Sequence, residues 1–282
     1  MVGSTWIRGI VAALVLAATL VVSLSGPGSR SAQAGKLHRP ASTPVGPEEP
    51  KPQPSVRLLV PDLVTERVSD LDLIYEQETG RRVLRFSNRI ANVGDGPIEL
   101  RGRPALQAAR YRVSQRLYGT EGQVLVEPIV DEIVYHRDHG HWHLEDFASY
   151  ELWKATFDGR ILTPVEVRAK ISYCLFDHRP GSESAPEQAY GTCEPELQGI
   201  SPGWTDTYDS DVPDQWVDVS GLDDGVYVLR SVVNPRGVLR ERTRKNNEYL
   251  LGLRLQGIQF SQVELHPEPW SLLPPHPDEV EG

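Results

Sequence analysis

From Val56 to Leu265 the apolar residues fall in short runs, several alternating with polar ones, and no stretch sustains the 3.6-residue period of an amphipathic helix. Arg57 to Val60 ends at a Pro61 break, and Leu71 to Gln77 sets Leu71, Leu73 and Tyr75 against polar neighbours. Glu78-Thr79-Gly80 has turn chemistry, and Arg82 to Asn92 continues with Val83, Phe86 and Ile90. The loop signal from Asn92 to Pro97 hands over to Ile98 to Arg101. Val113 to Leu117 and Val124 to Val126 flank Gly119-Thr120-Glu121-Gly122 like the arms of a hairpin. Tyr150 to Thr156, a turn at Phe157 to Arg160, and then Val165 to Leu175, Gln215 to Val219, Gly225 to Asn234 and Glu248 to Leu255 complete the set. Short strands at intervals of roughly 8–12 residues predict an all-β fold, a β-sandwich with long loops and little helix. Residues 177–207 read as one long Gly/Pro/Ser-bearing loop, of a length that suggests a functional or pinned segment.

The ends of the chain have a different texture. Arg8 precedes an apolar run from Gly9 to Leu24, and Ala32-Gln33-Ala34 follows, so residues 1–34 read as a signal peptide. The alternative is an uncleaved anchor, for which about sixteen apolar residues are short. Residues 35–56 hold six prolines and almost nothing apolar, a Pro-rich linker, and residues 266–282 form a similar tail. That leaves 57–265 as one domain, long enough for a well-buried core, secreted or extracytoplasmic, with no stable membrane span after cleavage. Net charge moves from −10 to −12 without residues 1–34, which carry Arg8 and Arg30 and no acid. Such an acidic domain argues against a nucleic-acid partner. The two cysteines, Cys174 and Cys193, suit an oxidising compartment, where a bridge would stabilise by about 3 kcal/mol on the chain-entropy view. A free thiol pair is the alternative.

Candidate chemistry concentrates between Val134 and Trp153, VYHRDHGHWHLEDFASYELW, which holds four of the eight histidines. His139, His141 and His143 alternate, and on an extended strand alternate side chains share a face, so three imidazoles are expected to converge on one metal ion. A lone histidine is usually a hydrogen-bonded residue without a ligand. Three beside Tyr135, Trp142 and Phe147 are costly to bury without a partner. His136 has the opposite parity and is expected to point away, outside the metal's ligands. The cysteines lie too far downstream for a zinc-finger spacing.

At this point a family comes into view. His136-x-x-His139-x-His141-x-His143 followed by Glu145-Asp146-Phe147 resembles the copper-binding segment of lysyl oxidases. Ala169-Lys170-Ile171-Ser172-Tyr173-Cys174-Leu175 resembles the segment that carries the family's cofactor-forming lysine. Gly203-Trp204-Thr205-Asp206-Thr207-Tyr208, with Gln215-Trp216-Val217-Asp218-Val219 after it, resembles the one that carries the cofactor-forming tyrosine. Leu84-Arg85-Phe86-Ser87 with Asn92-x-Gly94 resembles the family's opening, and Val232-Val233-Asn234-Pro235 with Asn246-Asn247 its close. Each motif is modest, but their order and spacing span roughly residues 57–255. The resemblance implies that His139, His141 and His143 hold Cu(2+), and that Lys170 and Tyr208 cross-link into a self-derived lysine tyrosylquinone. It implies oxidation of peptidyl lysine or a small primary amine to the aldehyde, with dioxygen consumed and ammonia and hydrogen peroxide released. Cys174 and Cys193 match two family positions, so the loop between them is expected to be pinned in the same way. The chain departs from the family in having one cysteine pair instead of several, and in Asp209-Ser210-Asp211, where animal members have a basic residue after the tyrosine.

Amine oxidation needs an electrophile and an electron sink that unmodified side chains do not supply, which is the work of a cofactor. Joining Lys170 to a ring requires its amine unprotonated, which burial or a nearby cation favours. Glu145, Asp146 and Asp206 are the carboxylates available as proton acceptor. Taken alone, Lys170 in Arg168-Ala169-Lys170 reads as a solvated strand residue and Tyr208 as an aromatic packing residue. Two other functions compete: a tri-His zinc enzyme without a quinone, and a secreted tri-His metal-binding sandwich module.

Overall fold

The computed structural model describes residues 55–155 and 161–265, and for residues 161–163 and 166–170 the backbone alone. The leader, nearly all of the linker, the turn at Phe157 to Arg160 and the tail lie outside the described residues. The described chain belongs to one compact unit.

In chain order the strands are β1 (Leu58–Leu59), β2 (Leu63–Thr65), β3 (Ser69–Glu76), β4 (Arg81–Asn92), β5 (Ile98–Pro104) and β6 (Arg110–Gln115). The next are β7 (Leu117–Gly119), β8 (Val124–Val126), β9 (Ile129–His136), β10 (His141–Ala155), β11 (Ile161–Tyr173) and β12 (Arg179–Pro180). The last are β13 (Gln198–Ile200), β14 (Trp204–Tyr208), β15 (Trp216–Asp218), β16 (Gly225–Val233), β17 (Glu248–Gln256) and β18 (Gln259–Val263). The fold is all-β, as the alternation predicts, and no helix occurs among the described residues.

One sheet runs β13-β5-β6-β9-β10-β16-β17-β18, with β11 also on β10. A second runs β12-β14-β4-β15, with β2 and β3 also on β4, and β1-β7-β8 form a small ladder. The two main sheets meet through Phe86 of β4, whose ring stands edge-on to Tyr150 of β10 at 4.7 Å, and Tyr208 of β14, whose ring lies 3.8 Å from Tyr173 of β11. Leu84, Ile90, Ile98, Ile133, Leu144, Phe147, Leu229 and Leu253 fill the shared core, and its apolar burial is the main driving force for closing the sheets. A buried polar seam fixes how they meet. Asn88 Nδ2 donates to the Tyr173 hydroxyl (3.0 Å), Ser231 Oγ donates to Asn88 Oδ1 (2.9 Å), and the Tyr150 and Tyr173 hydroxyls are 2.9 Å apart. Gln215 Nε2 donates to the Tyr150 hydroxyl and to the Phe86 carbonyl, both at 3.0 Å. Because each group finds a partner, the hydrogen bonds offset the desolvation cost and the seam specifies alignment.

Residues 177–207 are not the single loop expected. They contain β12, β13 and most of β14, so this segment supplies an edge of the large sheet and an inner strand of the second. Strands of two to five residues are too short for alternation to register, and Ser201-Pro202-Gly203 between two of them imitates a plain loop. Two ties hold the rest of the segment. Cys174 and Cys193 form a disulfide, and the fully buried Asp177 carboxylate accepts from the Ala189, Tyr190 and Ser201 amides and the Ser201 hydroxyl.

Candidate metal centre

The histidines are arranged by a hairpin. Residues 137–140 form the turn between β9 and β10, closed by the Gly140 N–H donating to the His136 carbonyl at 2.9 Å. Gly140 sits at φ +74°, in the left-handed region that a residue without a Cβ enters freely. This corrects the expectation of three histidines alternating on one strand. Strand β10 begins at His141, so His141 and His143 share a strand face and His139 projects from the turn. The three still converge, with one donor atom from each lying within 4.8 Å of the others.

His136 does not point away. The hairpin pairs it directly with His141, opposite residues of an antiparallel pair share a face, and its ring stacks 4.6 Å from that of His143. It stands beside the triad, and its Nε2 is engaged by Glu145 Oε1 at 2.8 Å.

His143 is the buried centre of the cluster. Its Nδ1 is 2.9 Å from Ser172 Oγ, whereas its Nε2 is buried with no hydrogen-bond partner. Burial, then the neighbouring imidazoles of His136, His141 and His139, pushes its pKa down to about 2. The same causes, burial first and then His139 and His136, lower His141. Three imidazoles converging on one point, with an unsatisfied buried nitrogen at the centre, are what a transition-metal site asks of its ligands. His139 Nε2 faces Asp214 Oδ2 at 3.5 Å.

Beyond the triad the ladder breaks. Asp146 takes φ +52° at an irregularity where β11 pairs with β10 at Leu144 and again only from Ala148. The Asp146 carboxylate reaches Arg236 at 3.7 Å. On β11, Lys170 pairs with Ser149, two residues before Ser172; its side chain lies outside the described residues.

Tyr208 ends β14 with its ring 6.2 Å from that of His143. Its hydroxyl accepts from the Cys174 N–H at 2.8 Å. Burial, and after it the charge of Asp206, raises the phenol well above its ordinary range. Tyr208, His139, His141, Phe176, His178 and the disulfide line a cleft of about 370 Å³. The carboxylates on its wall are Asp138 and Asp209, not the three considered from sequence. Asp206 is wholly buried, with the Thr207 and Phe176 amides for polar neighbours and no ordinary hydrogen bond on either oxygen. His178 Nδ1 lies 3.0 Å from the Thr207 carbonyl, which can only accept, so Nδ1 carries a hydrogen and Nε2 is the nitrogen left for other partners.

Sequence reasoning passed over Ser172, Tyr173, Asp177 and His178. Ser172 and Tyr173 lay inside the segment from Ala169 to Leu175 without a role, and His178 carried no signal of its own. Asp177 carried none.

The sandwich brings a tri-His cluster, a buried tyrosine and a small cleft together, and comparison with known proteins is specific. The lysyl oxidase family profile matches residues 103–264, and the chain belongs to that family. It is 31% identical over 127 residues to protein-lysine 6-oxidase of Sus scrofa, covering 44% of this chain and 47% of that protein. It is 32% identical over 128 residues to lysyl oxidase homolog 1 of Homo sapiens, covering 45% and 21%. With lysyl oxidase homolog 4 of Bos taurus it shares 29% over 168 residues, covering 59% and 18%. The matched region thus spans less than half the length of each of these relatives. No helix of the described residues is long and apolar enough to cross a membrane.

Proposed function

We propose that the protein is a secreted, copper-dependent amine oxidase that converts peptidyl lysine or another primary amine to the aldehyde. His139, His141 and His143 would hold the copper, and Lys170 and Tyr208 would be joined as its lysine tyrosylquinone. The observation that carries this reading is the buried, unpartnered Nε2 of His143 beside two further imidazoles and near Tyr208. Bound copper and the quinone supply, between them, the oxidising power to build the cofactor and the electrophile and electron sink for the amine. The chain's own groups do the rest. Ser172 holds Nδ1 of His143 and so turns Nε2 inward. The Cys174 amide and the Tyr173 ring fix the Tyr208 ring from two sides. The cleft admits an extended amine chain, and Asp138 and Asp209 on its wall favour a cation there. His178 Nε2, held in place through Nδ1, is the proton acceptor on the cleft wall, an imidazole being the side chain suited to that work near neutral pH.

The test is maturation of the expressed protein with copper in air, followed by peptide mapping and an assay for amine-dependent peroxide. A linked peptide bearing Lys170 and Tyr208 is expected, and His141→Ala is expected to lose both copper retention and the link. Unlinked peptides in copper-loaded protein that still oxidises amine would overturn the cofactor assignment. Metal retention without link or peroxide would leave a zinc enzyme or a metal-binding module.

A further inference from the structure

We propose that the Cys174–Cys193 disulfide keeps a thiol away from Tyr208 while its ring is oxidised, so that lysine nitrogen, not cysteine sulfur, is joined to the ring. The proposal rests on the amine-oxidase reading above and concerns how the cofactor is protected during its formation.

Three observations support it. Cys174 is fully buried, and its own N–H donates to the Tyr208 hydroxyl at 2.8 Å, so its side chain starts within a residue's reach of the ring. Both cysteines line the same cleft as Tyr208. The chain has two cysteines and both are in the bridge, so no other thiol competes.

The segment also has a second, non-covalent closure. Asp177, three residues after Cys174, accepts from the amides of Ala189 (2.9 Å) and Tyr190 (3.2 Å), which lie just before Cys193. Its backbone N–H donates to the Tyr190 carbonyl at 2.8 Å, and Ser201 adds amide and hydroxyl hydrogen bonds at 2.7 and 2.8 Å. A bridge whose purpose was to hold the two ends together would duplicate this carboxylate.

Chemistry supplies the purpose. Tyr208, once hydroxylated and oxidised by dioxygen with copper in the site, is an electrophilic ring. Sulfur is intrinsically a far stronger nucleophile towards such a ring than an amine nitrogen. If Cys174 were reduced, its sulfur electron pair would form a C–S bond at a ring carbon. The ring would accept two electrons and become a catechol, and the hydrogen on that carbon would leave as a proton. Dioxygen would reoxidise the ring, giving hydrogen peroxide and a thioether in the position meant for nitrogen. A disulfide sulfur has no thiolate to offer, so while the bridge is closed the ring awaits Lys170. It follows that closure of the bridge precedes oxidation of the ring.

The experiment compares wild type, Cys193→Ser and the double variant Cys174→Ser/Cys193→Ser, each matured as the full chain with copper in air, alkylated and mapped by peptide mass. Both variants lack the bridge and share any loosening of the loop; they differ in one sulfur. Cys193→Ser is expected to yield a thioether joining the Cys174 and Tyr208 peptides, with loss of the Lys170–Tyr208 link. The double variant is expected to regain that link. Cys193→Ser with the lysine link at the wild-type level and Cys174 recovered as an alkylated thiol would overturn the protective role while leaving the amine-oxidase reading intact. A wild type with unmodified Tyr208 would overturn that reading and this inference with it.

Discussion

Strand β10 carries three buried polar side chains, Ser149 among them, and the other two stand in opposite circumstances. Glu151 and His143 are 2% and 1% exposed. Glu151 Oε2 accepts from Trp153 Nε1 at 3.0 Å and stands 3.6 Å from the buried Arg230 guanidinium, which also reaches Glu248 at 2.8 Å. His143 has one nitrogen on Ser172 and the other on nothing. The backbone explains the difference. From Ala148 to Ala155 the strand is paired on both edges, with β11 and β16, and every side chain there except Lys154 is buried. From His141 to Leu144 it is paired with β9 on one edge, and Asp146 breaks the ladder on the other. One half of the strand builds the sandwich, and the other presents donors. A compensated buried charge is architecture, and an uncompensated buried nitrogen points to a ligand.

Arg230→Met breaks the compensated half. Removing the cation beside a buried carboxylate is expected to destabilise the fold by about 3–5 kcal/mol, read as a lower urea midpoint. Copper taken up per folded molecule should stay unchanged. A loss of copper stoichiometry in the folded fraction would show that the two halves are not separable.

Ser172→Ala sharpens the other half. With its Oγ gone, His143 Nδ1 loses the group that fixes the ring, and copper affinity is expected to fall about 10–100-fold, measured by competition with a chelator. The stability of the metal-free protein should shift by no more than about 1 kcal/mol. Ser172→Thr, which keeps the hydroxyl, should recover most of the affinity. Equal losses in both variants would assign the effect to packing.

The same contrast governs what the sequence could disclose. Alternation over seven residues, as in Leu71 to Gln77, reports a strand because its faces meet different surroundings, whereas Arg82 to Asn92 reads as a strand by its apolar content and its flanking turn signals, being largely buried on both faces. The all-β class was legible for those reasons; the three histidines do meet, but not by the strand alternation expected of them, since His139 projects from the turn. The hairpin at residues 137–140 was not legible, because in HRDHGHWH the polar residues of a turn and the polar ligands of a metal look alike, and Gly140 is the one signal that separates them. His136 was misplaced as a result: strand parity applies within β9 or within β10, and the turn resets it. The strands inside 177–207 were too short to show a period, and their hold comes from Asp177, whose role depends on amides more than ten residues away. Cys174 and Cys193 were readable as a pair, but that they share a cleft with Tyr208 needed the fold.

Asp206 puts the contrast to its hardest test, because its oxygens are unpartnered like His143 Nε2 but it belongs to no cluster of metal-binding groups among the described residues. Burial pushes its carboxyl well above the usual range; the Thr207 and Phe176 amides pull it down and the charge of Asp177 pushes it up further. A raised carboxyl pKa has a definite sign in linkage. Below the unfolded value both states are protonated and the group is neutral to stability. As pH rises from there towards the folded value, the unfolded chain ionises first, so stability is lost by up to about 1.4 kcal/mol for each pH unit crossed. Asp206→Asn keeps the shape and cannot ionise. Metal-free Asp206→Asn should therefore melt close to wild type near pH 4 and progressively above it towards pH 8. A gap that does not widen with pH would mean that folded Asp206 is charged and stabilised by partners it gains on folding. An unsatisfied buried oxygen would then be no guide to chemistry, and the weight placed on His143 Nε2 would have to rest on its company of imidazoles alone.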